Sequence, residues 1–190
     1  MRWALLAVIA CSSTAVADGF YATESFGGAS YQGDLGRYAD GLARFSAGAG
    51  VVTGPWAVEV SGTWLVGPDY FAIDCYDEQE CAALAAPDPE LHFIALDVRR
   101  TWRVLYSTWT RHVGVDLVLH GGPRRFGGDG LFAGYQGYGV GGGASIDVNL
   151  KVFSMFVDFG TDVGALSRDG YETLYAKLPY VTLGARLGWM

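Results

Sequence analysis

Three histidines, two closely spaced cysteines and a run of acids are the residues of this chain best suited to do chemistry. His120, Ser167 and Asp169 have the types of a base, a nucleophile and an orienting acid. Such a set hydrolyses esters or amides only if the serine lies within hydrogen-bond reach of the imidazole. Linear spacing does not establish that reach. His92 reads equally as an ordinary loop residue, and His112 as a packed interior one. Asp74, Asp77, Glu78 and Glu80 offer the oxygens that calcium takes, but without EF-hand spacing; a solvated acidic loop accounts for them as well. Gly137-Tyr-Gly-Val-Gly-Gly142 satisfies G-x-G-x-x-G, yet no strand–turn–helix unit surrounds it. Glycines there read instead as close packing and curvature within a strand. The balance is against an enzyme, and no cofactor and no metal is expected.

The amino terminus reads as an address. Met1-Arg2 is a short basic region, Trp3 to Ala10 an apolar one, and Ala15-Val-Ala17 an A-x-A cleavage site. Residues 1–17 are therefore expected to be removed, leaving 18–190 as one domain. A rival reading takes Val8-Ile-Ala-Cys11 as a lipobox with Cys11 lipidated. The signal carries one base and no acid, so the mature formal charge is (13 − 1) − 20 = −8. That excess of acid argues against nucleic-acid partners, whose phosphates it would repel. Cys75 and Cys81 remain after cleavage, and two neighbouring cysteines in an exported chain usually pair. A disulfide is expected there, closing a small ring worth roughly 2 kcal/mol.

The elements that must position these residues show a period of two. Half the chain is hydrophobic (51%), yet beyond residue 17 no apolar run is long enough for a membrane helix. Val58, Val60, Gly62, Trp64 and Val66 alternate with Ala57, Glu59, Ser61, Thr63 and Leu65. Val113, Val115, Leu117 and Leu119 alternate with Gly114, Asp116, Val118 and His120. Phe153, Met155, Val157 and Phe159 alternate with Ser154, Phe156, Asp158 and Gly160. Such alternation is the signature of strands, and apolar-out with polar-in is that of a transmembrane barrel. Eight strands are predicted, at about 19–31, 41–53, 56–72, 91–106, 109–121, 135–149, 152–166 and 175–190. Tight turns at Gly54-Pro55, Ser107-Thr108 and Leu150-Lys151 alternate with longer connections at 32–40, 73–90, 122–134 and 167–174. Trp56, Trp102, Tyr106 and Trp109 mark one aromatic girdle; Tyr70, Phe71, Phe132, Tyr135, Tyr171 and Tyr175 mark the other. Arg100 violates the pattern by falling on the apolar face, unless a bulge rotates it.

Tyr180-Val-Thr-Leu-Gly-Ala-Arg-Leu-Gly-Trp189 is an amphipathic last strand ending in an aromatic, with Met190 beyond it. It resembles the terminal signal read by the outer-membrane assembly machinery. With its glycine-rich first strand and strand spacing, the chain resembles the OmpA-like and OmpX-like small barrels. The resemblance implies an all-β, eight-stranded antiparallel up-and-down transmembrane β-barrel in a bacterial outer membrane. Because the sequence ends with this last strand, no periplasmic peptidoglycan-binding domain is expected.

Glu24, Glu59, Asp97, Asp116, Asp147 and Asp158 are expected to face the lumen, with Arg44, Arg99, Arg103 and Arg186 as their counter-charges. Eight strands enclose a space that side chains just fill, so these charges should pair into a mostly closed interior. A narrow pore for small solutes or ions is the alternative reading, and an outer-rim lipid A-modifying enzyme a third. The expected role is structural and surface-interactive. Outer-membrane lipid and lipopolysaccharide are the expected partners, with Lys177 and Arg168 near the outer rim as candidate phosphate contacts. The external loops offer a surface to a protein or glycan.

Overall fold

The computed structural model describes residues 19–37, 41–67, 89–106, 113–150 and 153–189. They form nine strands: β1 (Gly19–Ala29), β2 (Gln32–Gly33), β3 (Leu42–Thr53), β4 (Trp56–Val66), β5 (Pro89–Tyr106), β6 (Val113–Gly130), β7 (Gln136–Leu150), β8 (Phe153–Ser167) and β9 (Leu174–Trp189). Each long strand pairs antiparallel with the next, and β9 returns to β1, so the sheet closes on itself. β2 is a continuation of β1. Ala29↔Tyr180 and Gln32↔Lys177 share one register against β9, across a break at Ser30-Tyr31. The barrel therefore has eight staves.

Pairing also fixes the stagger. Starting at Glu24, register partners run through Ala47, Gly62, Ile94, Arg125, Tyr138, Ala165 and Tyr175. Partners on β1 or β2 and β9 sum to 209, so Tyr175 lies opposite position 34, and the circuit gains 34 − 24 = 10 residues. The Tyr175 amide does donate to the Asp34 carboxylate, at 2.9 Å. A shear of that size tilts eight strands by roughly 40°.

Two backbone details explain how the sequence permits this. Thr53 pairs with Trp56 across a two-residue turn whose Gly54 has φ 54°, in the left-handed region that glycine enters without strain. Strand β6 runs on to Gly130, although Gly121-Gly122-Pro123 reads as a stop and residues 122–134 are predicted as loop. Pro123 has no N–H to donate, so the β5–β6 ladder lapses opposite Leu96 and Asp97. It resumes in the same register at Ala95↔Arg124. A Cβ at Gly122 would lie 1.8 Å from the Leu96 carbonyl oxygen, so this site admits only glycine beside the pinched strand.

The outer surface is an apolar belt. Phe26, Phe45, Trp64, Ile94, Val140, Phe159 and Leu183 are all exposed on it. In water this would be prohibitive; against lipid it is what holds the barrel in place. Trp56 and Trp102 rim the short-turn end, and Tyr138, Tyr171 and Tyr175 the long-loop end. Phe132 and Tyr135, expected in that outer girdle, are instead buried inside the barrel mouth. Tyr70, Phe71 and Trp109 lie outside the described residues.

Candidate functional site: the lumen and the outer rim

The interior is layered along its axis. At the short-turn mouth Arg103 grips Asp116 with two hydrogen bonds (Nε to Oδ1 2.8 Å, an Nη to Oδ2 3.0 Å), and Asn149 donates to the same carboxylate at 2.7 Å. The next layer holds Glu59, which accepts from the Tyr21 hydroxyl at 2.8 Å and from Arg99 at 3.1 Å. Beside it Asp147 is paired with Arg186 and accepts from the Ser145 hydroxyl at 2.6 Å. Arg186 also lies over the Phe156 ring, 4.1 Å from its centroid.

Above these, His120 Nε2 is 2.9 Å from Asp158. Asp162 then joins two strands' arginines. Its Oδ1 accepts from Arg124 Nε and its Oδ2 from Arg44 Nη1, both at 2.7 Å. Arg124 reaches on to Asp97 at 2.8 Å, and Arg44 lies 3.8 Å from the Tyr180 ring centroid. Each described lumen carboxylate thus meets a guanidinium or an imidazole, as burial demands. A cavity of about 40 Å³ lies among Ser25, Ser46, Thr63, Asp97, Arg99 and His120, room for a few water molecules.

Beyond the ionic layers the long-loop half of the lumen is apolar. Phe93 and Phe126 pack with centroids 5.1 Å apart, followed by Leu65, Leu91, Leu166, Leu174 and Leu178. Leu35, on the 3-10 turn Asp34–Arg37, and Tyr31 fold over the top against Phe132. The glycines of β7 make this filling possible. A Cβ at Gly141 would lie 1.8 Å from Asp162 Oδ1, and one at Gly139 would meet the Phe126 ring at 2.9 Å. The G-x-G-x-x-G stretch is thus a packing surface beneath the lumen side chains.

Several expected placements change. Glu24 does not face the lumen; it is exposed on the lipid side, between Ala47 and Ala185. The phase of β1 is set by Tyr21, Thr23, Ser25 and Ala29 turning inward and Phe20 and Phe26 outward, and Glu24 follows the phenylalanines. Arg124, Asp162 and His120 join the charge network although the sequence expectation omitted them. Arg124 fell in a predicted loop, whereas Asp162 continues the inward face Ser154-Phe156-Asp158 and was legible there. Arg100 does stay on the lipid face. The β5 bulge comes later, at Val104, and the guanidinium instead sits over Trp56 and Trp102, 4.8 and 5.0 Å from their centroids.

The hydrolase-like set does not assemble. His120 is in mid-lumen, its circuit partners being Gly143 and then Gly160 on β8. Ser167 is seven residues farther along β8, about 23 Å at the strand rise, and exposed at the rim. His92 lies on the outer surface, with Nδ1 3.2 Å from Asp129. His112, Cys75, Cys81, the acids of 74–80, the signal segment and Met190 lie outside the described residues.

Against solved structures the chain is similar to neisserial surface protein A (NspA), with a TM-score of 0.53 and 16% identity over 88% of this chain and 96% of that one. This is the fold of the small outer-membrane barrels. Similarity extends, at TM-scores of 0.37, to Ail of Yersinia pestis (10% identity, 92% and 100% coverage) and to a major outer membrane protein of Thermus thermophilus (12%, 90% and 99%). No family model matches the chain, and no curated protein matches it in sequence. The lipid-facing belt and closed antiparallel barrel place the protein in the bacterial outer membrane.

Proposed function

We propose that the protein is a surface-interaction scaffold: a closed barrel that anchors external loops and conducts nothing. The observation that carries this reading is the double closure of the lumen. Interlocked arginine–carboxylate layers are followed by an apolar plug from Phe93 to Leu35. A solute would have to break buried ion pairs and then cross a segment lined, among the described residues, by leucine, phenylalanine, tyrosine and alanine side chains. The interaction surface is then the loop end, above all the 73–90 connection, in which Cys75 and Cys81 are proposed to pair. NspA is by name a surface protein. Its likeness lends the reading support through the fold alone, since external loops are where such scaffolds carry function.

Purified full-length protein in planar bilayers tests the closure. We expect no steady single-channel currents; steady currents would replace this reading with the pore. Cells displaying the protein should also bind a panel of immobilised glycans and extracellular-matrix proteins, and lose that binding when 73–90 is replaced by a short Gly/Ser linker. Binding to none of the panel would overturn the surface role.

A further inference from the structure

Ile94, Arg125 and Tyr138 are register partners on three adjacent strands, and all three side chains point out of the barrel. Arg125 is exposed, and its guanidinium forms no ion pair with a described residue. It borders a groove of about 440 Å³ on the outer wall, lined also by His92, Gly127, Gly128, Asp129 and Gln136. A Cβ at Gly127 would lie 2.5 Å from His92 Nε2, so the imidazole lies directly over the glycine as the groove's wall. At the loop end Gly134, with φ 84°, lies beside Arg168; a Cβ there would be 3.4 Å from the Arg168 Nε. Arg168 is steadied by stacking on Tyr171, 4.4 Å from its centroid.

The groove sits where Tyr138 and Tyr175 mark the outer interface, the level of lipid headgroups. Its membrane side is apolar, with Ile94 and Tyr138 exposed below, and its upper side carries Arg125 with Arg168 beyond it, together with the acids Asp129 and Glu90. Asp129 also lines it, 3.2 Å from His92 Nδ1, with Glu90 opposite it on β5; both acids lie on the loop side, and Arg125 is the cation nearest the apolar wall. A guanidinium with no counter-charge among the described residues, over an apolar wall, matches an amphiphile with an anionic head: phosphate oxygens accept from the fork while acyl chains lie along the belt.

We infer that this groove on β5–β7 is a binding site for a phosphorylated glycolipid of the outer leaflet, with Arg125 as the phosphate contact and Arg168 as a second cation at the rim. The site is separate from the loop surface proposed above and does not depend on it.

Native mass spectrometry of the full chain, released from detergent micelles, reads the lipids retained. Bisphosphorylated lipid A should be held about tenfold more strongly than phosphatidylcholine, the size of one charge-assisted contact. Arg125→Gln should abolish that preference, and Arg125→Lys should keep part of it. Arg100→Gln removes a lipid-facing arginine at the other rim and should leave the preference intact. Heat-modified gel migration identifies folded variants; should Arg125→Gln not fold, Arg125→Lys and Arg168→Gln carry the test through graded losses. Equal retention by Arg125→Gln and the parent would overturn the site. So would complete displacement of lipid A by excess inorganic phosphate, which would indicate an adventitious ion only. Loss of preference in Arg100→Gln would refute its location.

Discussion

Asp162→Asn perturbs the lumen at the point where its energetics are easiest to reason about. The carboxylate is fully buried (0% exposed), and both oxygens are engaged at 2.7 Å, one by Arg124 and one by Arg44. Asparagine preserves shape but turns one acceptor into an NH2 group facing a guanidinium. The two arginines are not equally exposed to the loss. Arg124 keeps Asp97 at 2.8 Å, whereas among the described residues Arg44 keeps only its stacking on Tyr180 and Phe93. The cost is therefore that of stranding one buried cation, about 3–5 kcal/mol. That is roughly a hundred- to several-thousand-fold in the folding equilibrium. Reversible urea unfolding in lipid vesicles, followed by tryptophan fluorescence, measures it. The Arg44→Met/Asp162→Asn double variant should recover much of the loss, because an apolar replacement no longer needs a counter-charge. A loss below about 1 kcal/mol for Asp162→Asn, or a double variant as poor as the sum of its parts, would refute the reasoning.

Three further outcomes follow from the same geometry. Arg103→Met, at the mouth, should cost about 1–3 kcal/mol in the same assay, less than Asp162→Asn, because Asp116 is buried but keeps the Asn149 amide. Glu24→Leu should raise stability, by less than the roughly 2–4 kcal/mol that a basic residue costs at mid-bilayer; a fall in the unfolding midpoint would show that the carboxylate has a partner. Gly141→Ala should destabilise by about 1–3 kcal/mol through overpacking, because its Cβ would sit on Asp162 Oδ1. Gel migration with and without heating would expose that loss, and an unchanged melting transition would mean the Asp162–Arg124 pair can move aside.

Strand number, closure and the lipid-facing belt were legible because period two repeats in stave after stave and its apolar half is unmistakable. What failed did so for two physical reasons. Local rules stopped β6 at Gly121-Gly122-Pro123, but a proline can sit in a paired strand where the neighbour's ladder lapses. The partner strand β5 decided the matter from outside the local window. Arg124 was lost with that extension. The loop-end plug was missed because apolar residues at inward positions, such as Phe93, Phe126 and Leu178, carry the same composition as lipid-facing ones.

Glu24 shows how such an ambiguity is resolved. Charge chemistry favours turning it inward, but a strand cannot turn one residue alone: moving Glu24 to the lumen would carry Phe20 and Phe26 with it and expel Tyr21, Thr23 and Ser25. Tyr21 holds Glu59 at 2.8 Å, and Glu59 in turn holds Arg99. Flipping the strand would exchange one lipid-facing carboxylate for a broken buried network and two displaced aromatic side chains. A single carboxylate at the lipid face costs less than that exchange. Strand phase is therefore a collective property, set by the sum over a face, and one charged residue is too small a term to reverse it.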